Sequence, residues 1–461
     1  MRRFLALMQS GDWRSLVASF LYFDTGFTVW LLFGPLAPYI GRPLHLSPAA
    51  AGLLVAVPVL SGALLRVPLG HLYQALDGRR IALMGILLSA VTPLFLLLAP
   101  TTPDFATLLV LGVFLGVGGA SFAVALPMAG SGYPARVQGL VLGLAAAGNI
   151  GAVLDGILFP PLARHYGWQT AMIAVLPFLA LAALAIRFWG RDYAPKSGSL
   201  ARALLGFFGS LVFLAVLVTA AHAGLLGVSG HPAVLLLPVL GLGFVLMLLP
   251  RAHRRVLGEG DAWVFFLVYA VTFGGFVGMS AYTSLLLIAL YHIPKVEAGL
   301  FMATLAFTGA TVRPLGGHLA DRVGGPRALR YALSGIAIVD LMFALLSPIK
   351  FEGLVALFAL YVCFGIGNGA TFQIVPLRWS EHRGLITGLI GAAGGIGGFY
   401  LPVVLGMVKQ ATSSYHAGFA LFAGLAVTAA FLVHARARRW MAATQSASAQ
   451  PALREVALGG D

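Results

Sequence analysis

The sequence predicts an all-α polytopic membrane protein, and three observations carry that prediction. Of 461 residues, 59% are apolar and only 10% are charged, where a soluble domain carries about 25% charge. The mean hydropathy of +0.94 excludes both a water-facing globular surface and intrinsic disorder, which needs low hydrophobicity and high charge. Apolar runs of roughly membrane-spanning length recur fourteen times along the chain.

The runs fall at about 16–40, 47–72, 81–100, 105–129, 138–163, 168–187, 201–222, 232–250, 262–291, 298–320, 327–348, 352–376, 383–407 and 415–438. Lipid offers no water to unpaired backbone groups, so a helix is the expected form of each. Turns rich in Gly and Pro separate them: Gly41-Arg42-Pro43 after the first, Asp77-Gly78 after the second, Thr102-Pro103-Asp104 after the third, Gly324-Gly325-Pro326 after the tenth. The 58 glycines suit helices that pack closely in lipid. Cys363 is the single cysteine, so no intrachain disulfide is expected. The opening MRRFLALMQSGDWRS has too short an apolar core for a cleaved signal peptide. The Ala/Ser/Gln-rich tail, 441–461, reads as disordered and cytoplasmic.

Charge orients the runs. With the N-terminus inside, the inner connections and termini hold 22 of the Lys and Arg residues and the outer connections only five: Arg42, Arg164, Lys295, Lys350 and Lys409. That bias follows the positive-inside rule and places both termini in the cytoplasm of a multi-pass plasma-membrane protein. The net charge of +14 therefore reports topology, and its scatter over short loops argues against nucleic acid as a partner.

The chain repeats itself. GALLRVPLGHLYQALDGRR (62–80) aligns with GATVRPLGGHLADRVGGPR (309–327), matching Arg66 to Arg313 and His71 to His318. GASFAVALP (119–127) aligns with GATFQIVP (369–376), and GLVLGLAAAGNIG (139–151) with GLITGLIGAAGGIG (384–397). Each block occupies the second, fourth or fifth helix of a six-helix half, which argues for duplication. The expected organisation is a first half over 1–190, basic loops with two inserted transmembrane helices over 191–260, a second half over 261–440, and the tail. Two related halves joined by a basic loop are a transporter plan with the substrate near the midplane.

Arg66 precedes Asp77, and Arg313 precedes Gly324, by 11 residues. At ~1.5 Å per residue each lies roughly 16 Å from its turn, close to mid-bilayer. A guanidinium cannot shed its charge there, so it requires a partner or a watery cavity. Away from their ends the runs hold only three acids, Asp24, Asp155 and Asp340. A buried ion pair is one reading. The duplication favours another, in which one arginine from each half faces a shared anion. Two cations in otherwise apolar and aromatic walls suit a small planar oxyanion that accepts parallel N–H bonds. Nitrate and nitrite fit; bicarbonate or a small carboxylate fit in principle.

GHLADRVGGPR (317–327) looks like the loop between helices two and three of a half in the major facilitator superfamily; its first copy, GHLYQALDGRR (70–80), carries Gln74 where an Asp is usual. AAAGNIG (145–151) and GAAGGIGGF (391–399) resemble the paired signatures of that superfamily's nitrate/nitrite porter family. FDTGFTVWLLFGPLAP (23–38) is similar to its first helix and LVYAVTFGGFVGMS (267–280) to the first helix of its second half. The likeness implies a major facilitator fold of two six-helix halves, here with two extra helices between them, fourteen in all. It implies substrate binding by Arg66 and Arg313, with Phe122, Tyr269 and Phe273 lining the site and Asn149 near it. Gly148, Gly151, Gly394 and Gly397 become packing and gating glycines. Ala145, Ala146 and Ala147 stand where the family's first signature often has glycine. The family commonly has twelve helices, so the unpaired two read as a lipid-facing hairpin.

The expected function is a secondary transporter of nitrate and nitrite, working by alternating access as a proton symporter or a nitrate/nitrite exchanger. The protein is expected to act as a monomer in membrane lipid, without cofactor or metal. No phosphate-binding GxxxxGK[ST] loop is present, so ATP is not expected to drive it. Asp24, or else Asp155, is the candidate proton carrier; His71 and His318 read as structural contacts. Alternatives are a carrier for another small anion or a non-transporting anion sensor. A peptide transporter lacks its ExxER-type motif here, a drug exporter its GPxxGG, and an enzyme any nucleophile–base or metal-ligand cluster.

Overall fold

A computed structural model describes residues 10–99, 101–134, 137–225, 231–248, 257–379 and 383–458. Among them the chain forms fourteen helical rods and no strand. The first half holds α1 (Trp13–Ile40), α2 (Pro48–Ala75), α3 (Gly78–Leu98), α4 (Phe105–Ser131), α5 (Gln138–Ala146 continuing through Gly151–Tyr166) and α6 (Trp168–Trp189). The inserted pair is α7 (Leu200–His222) and α8 (Ala233–Leu248). The second half holds α9 (Gly260–Tyr291), α10 (Lys295–Val323), α11 (Gly325–Leu345), α12 (Lys350–Arg378), α13 (Arg383–Thr412) and α14 (His416–Leu458). Twelve rods are long and apolar enough to cross a bilayer; α8 is shorter, and α10 dilutes its apolar character with Arg313 and a row of threonines. The tail expected at 441–461 lies outside the described side chains, although the backbone of α14 runs on to Leu458.

Each run expected to be helical is so, and several of the rods carry a short break. α1 stops at Leu31 and resumes at Phe33, α3 stops at Ser89 and resumes at Val91, α6 stops at Ile173 and resumes at Leu176. Each stop lies four residues before a proline: Pro35, Pro93 and Pro177. A proline has no N–H for the carbonyl four residues back, and its ring clashes with it. α5 narrows to a 3-10 turn over Ala147–Ile150, inside the first glycine signature.

The halves meet along a seam where α2 packs on α13 and α5 on α10. Cross-seam contacts start at the end bearing the 41–47 and 292–294 connections: a Cβ on Gly52 would strike the Pro402 carbonyl, one on Gly156 the Gly299 carbonyl, and one on Gly34 the Ala281 carbonyl at 2.8 Å. They continue to mid-helix, where Gly395 abuts Ala63. Beyond that, toward the basic turns at 76–80 and 324–327, Gly143 and Gly388 have nothing within 4 Å of where a Cβ would sit. The seam is closed at one end and open at the other. The inserted pair lies along it: α7 and α8 pack on α2, and the Tyr400 hydroxyl of α13 donates to the Leu235 carbonyl at 2.9 Å. Apolar residues on the far side of this pair, among them Leu205, Val212, Val239 and Met247, are exposed.

At the basic end of the first half, the linker after α6 is stapled down by Asp192. Its carboxylate accepts from the Tyr73 hydroxyl at 2.7 Å and the Gly78 N–H at 2.8 Å, and pairs with Lys196 at 2.5 Å. Gln74 takes part through its backbone carbonyl, which accepts from the Ser197 N–H at 2.7 Å.

Candidate functional site

Arg66 projects from the middle of α2 into the seam at its closed-to-open boundary. It is buried, 3% exposed. Its Nε donates to the Gly119 carbonyl of α4 at 3.0 Å and its Nη1 to the Gly391 carbonyl of α13 at 3.1 Å. The first acceptor belongs to its own half, the second to the other. Gly119 lies beside the interruption at Ser121 that splits α4 into Phe105–Ala120 and Phe122–Ser131. The Arg66 Nη2 is buried and makes no hydrogen bond. Aromatic rings surround the guanidinium: Trp30 at 4.8 Å, Phe122 at 5.4 Å and Phe273 at 5.4 Å. Trp30 is itself fixed, because its Nε1 donates to the Pro58 carbonyl at 2.7 Å.

Arg313 comes from α10 on the opposite side. It is half-buried and lies 5.7 Å from the Phe372 ring. The two guanidiniums are close enough to repel each other. Tyr269 stands between them: it is buried, and its hydroxyl feels the charge of Arg313 and, less strongly, that of Arg66. The Tyr269 ring stacks on Phe273 at 4.9 Å and meets Phe372 edge-on at 5.2 Å. Among the described residues the ion pairs are Lys196–Asp192, Arg378 with Glu259 and Asp261, and Arg436–Asp261. Neither intramembrane arginine is in one, so the ion-pair reading of Arg66 and Arg313 is not what the structure contains.

Of the residues singled out from sequence, Arg66, Arg313, Phe122, Tyr269 and Phe273 converge here. The glycines frame them. A Cβ on Gly394 would lie 2.6 Å from the Tyr269 ring and 2.9 Å from the Phe273 ring, and one on Gly397 would strike the Ala270 carbonyl. Gly148 and Gly151 serve α1 instead, abutting Phe23 and the Asp24 and Thr28 backbone. Asn149 is buried on the 3-10 turn, which packs against α1 and α10, and its Oδ1 has no hydrogen-bond partner.

Asp24 and Asp155 lie near each other behind this turn. Gly151 sits against the Asp24 backbone, and the Asp24 Oδ1 is buried with no hydrogen-bond partner. Asp155 is fully buried, neither of its oxygens is hydrogen-bonded, and it is close enough to Asp24 for their charges to interact. Asp340 is elsewhere, in the second half, facing a small cavity lined by Val271, Gly275 and Phe364.

Two site residues escaped the sequence reading. Phe372 is one, and its signal was present: it holds in GATF the place that Phe122 holds in GASF. Each phenylalanine faces its own half's arginine. Trp30 is the other; nothing in its immediate sequence distinguishes it from a packing residue.

A family model described as the Major Facilitator Superfamily matches residues 18–402. The chain is 29% identical over 408 residues to a protein named nitrite extrusion protein from Bacillus subtilis, covering 88% of this chain and 90% of that one. It is 30% identical over 406 residues to a probable nitrate/nitrite transporter, NarK2, of Mycobacterium tuberculosis, covering 87% and 91%. Among solved structures it is similar to the xylose transporter XylE from E. coli in a partially occluded inward open conformation, with TM-score 0.61, 15% identity and coverage of 92% and 98%. A bacterial homologue of the human lysosomal transporter Spinster, inward-facing and occupied, gives TM-score 0.63 and 18% identity over 93% and 97%.

Proposed function

The chain belongs to the Major Facilitator Superfamily, and from that premise we propose that it is a secondary transporter carrying nitrate and nitrite by alternating access. The observation that supports this most is the pair of guanidiniums, one from each half, near enough across the seam for their charges to interact, with neither in an ion pair among the described residues. An unpaired buried charge is costly. Two of like sign, with an unused N–H on Arg66 and a tyrosine hydroxyl between them, form a site whose natural complement is one small planar anion. The rings of Phe122, Phe273 and Phe372 exclude water and strengthen each remaining polar contact.

In this reading the basic ends face the cytoplasm, as do both termini, so the structure is inward-facing with the outer seam closed. An anion entering from the open end binds between Arg66, Arg313 and Tyr269, with Asn149 at the edge. Its charge offsets the repulsion that keeps the inner halves apart. Because the occluded form gains most from that cancellation, the anion shifts the population toward it. The glycines at 394, 395 and 397 let α13 slide on α9 and α2 without side chains to shear. One chain supplies the whole site, so a monomer suffices.

Asp24 and Asp155 support proton symport as the coupling mode. Two neighbouring carboxyl groups in apolar surroundings cannot both ionise cheaply, so at least one proton is held there. Their place beside the 3-10 turn, on the helices that frame the substrate cavity, lets release of that proton respond to the cavity's exposure. The test is counterflow of labelled nitrate in proteoliposomes, with and without a pH gradient. Saturable counterflow that vanishes when both arginines are replaced by lysine is expected. Undiminished counterflow by those variants would rule out the two-arginine site.

A further inference from the structure

By the orientation above, the outer connections hold five of the Lys and Arg residues, and three of them lie around Tyr39 on the closed outer seam. Lys295 opens α10 of the second half. Its Nζ donates to the Pro38 carbonyl at 2.6 Å and lies 4.7 Å from the Tyr39 ring, both in α1 of the first half. Arg42, just beyond α1, is close enough to repel Lys295. Arg164, at the end of α5, is close enough to act on Tyr39. None of the three is in an ion pair among the described residues. Glu297 shares the first turn of α10 with Lys295, is exposed, and pairs with none of them there. The other titratable groups on these connections, His45, His165 and His292, are exposed and bring no negative charge.

We propose that Arg42, Arg164 and Lys295 form a second anion site, for a small oxyanion, that exists only while the outer seam is closed and that holds it closed. The proposal rests on the reading of the protein as an alternating-access anion carrier. Two of the cations ride on the first half and one on the second, so opening the outer seam pulls them apart. Lys295 keeps one carbonyl and one ring as compensation for its like-charged neighbour, and neither is an anion. An oxyanion bridging the three binds the closed form better than the open one, and must therefore shift the equilibrium toward closure. The transported anion itself at high outside concentration has this chemistry, and so does the phosphate of an anionic lipid headgroup.

The experiment reads the outer seam directly. Spin labels are placed on full-length protein at Tyr166→Cys and Phe351→Cys, which are exposed positions at this end in opposite halves, in a Cys363→Ala background. Pulsed dipolar spectroscopy then gives the open and closed populations in liposomes. Sulfate or nitrate added outside phosphatidylcholine liposomes is expected to raise the closed-to-open ratio roughly threefold or more. The same fold-change on adding anion is expected with Arg66→Gln, which disables the central fork and shifts only the starting closed-to-open ratio. Lys295→Gln and Arg42→Gln should each lose it. A closed population already maximal in phosphatidylglycerol without added anion assigns the headgroup as the occupant and supports the site. Disappearance of the response in Arg66→Gln, or its persistence in both outer variants, overturns the proposal. Normal transport by Arg66→Gln would sink the central-site reading alone, and leave this one to its own measurement.

Discussion

Replacing Arg66 by lysine keeps the charge and removes the fork, and the structure sets the size of the loss. Arg66 spends two of its nitrogens on the Gly119 and Gly391 carbonyls, at 3.0 and 3.1 Å, and keeps Nη2 in reserve. A lysine ammonium reaches one place. If it satisfies a carbonyl, the anion loses its donor; if it turns to the anion, two buried carbonyls lose theirs. Either way at least one hydrogen bond to a charged group disappears, worth about 1.5–3 kcal/mol. At 1.4 kcal/mol per decade that is about a ten- to hundredfold fall in kcat/KM. The assay is initial-rate nitrate uptake into proteoliposomes, with melting and gel filtration of Arg66→Lys as controls for folding. A well-folded Arg66→Lys with kcat/KM within about twofold of wild type would refute the claim that planar, multi-pronged donation holds the anion.

Other outcomes follow from the same geometry. Phe372→Ala removes the ring facing Arg313 and the edge supporting Tyr269; a cation–π contribution near 1 kcal/mol predicts a roughly fivefold rise in KM for nitrate, read in the same uptake assay. Gly394→Ala places a methyl against the Tyr269 and Phe273 rings, so overpacking of about 1–3 kcal/mol should lower both the melting temperature and the transport rate. Asp24→Asn, and Asp155→Asn less severely, should retain nitrate counterflow while abolishing accumulation driven by a pH gradient; full accumulation in both would remove the carboxyl pair from the coupling. Asp192→Asn tests the linker staple by thermal melting. Burial alone would raise the Asp192 carboxyl, but hydrogen bonds from Lys196, Tyr73, Ala194 and Gly78 outweigh it and hold the group below its ordinary range. Its folded value is thus below the unfolded one of about 3.9, so its stabilisation is complete at neutral pH and fades only as pH falls through the folded value. Asp192→Asn should therefore lower the melting temperature at pH 7, and the gap to wild type should narrow in acid.

Much of this was legible before any coordinates, for reasons specific to the residues. Period and hydropathy expose helices of this length because lipid forbids alternatives, and duplication turned two isolated arginines into a pair. The same duplication pointed to Phe372, since Phe122 and Phe372 occupy equivalent places. What sequence could not show was the role of backbone. The Gly119 and Gly391 carbonyls that hold Arg66 carry no side-chain signal, and Gly391 is far from Arg66 in the chain. The breaks at Leu31, Ser89 and Ile173 were written in the prolines four residues on, whereas the 3-10 turn at 147–150 has no proline behind it.

The two arginines are matched in sequence and unmatched in setting, and that difference bears on the transport cycle. Arg66 is buried and tied to both halves through backbone carbonyls; Arg313 is half-buried, with the Tyr269 hydroxyl as a neighbour that feels its charge. In the proposed cycle Arg66 is thus already in place before the anion arrives, and Arg313 completes the site as the halves close. The bond from Arg66 to Gly391 also crosses the seam, so it must lengthen or break when the outer side opens. Substitution at 66 should accordingly alter affinity and conformational bias together, whereas substitution at 313 should act on the occlusion step. Nitrate affinity of a detergent-solubilised, inward-facing protein, measured by calorimetry, separates the two: Arg66→Lys should weaken it by the full tenfold or more, and Arg313→Lys by distinctly less, although both slow turnover. Equal losses of affinity would mean that both forks grip the anion before closure, and that the asymmetry of their surroundings has no part in the cycle.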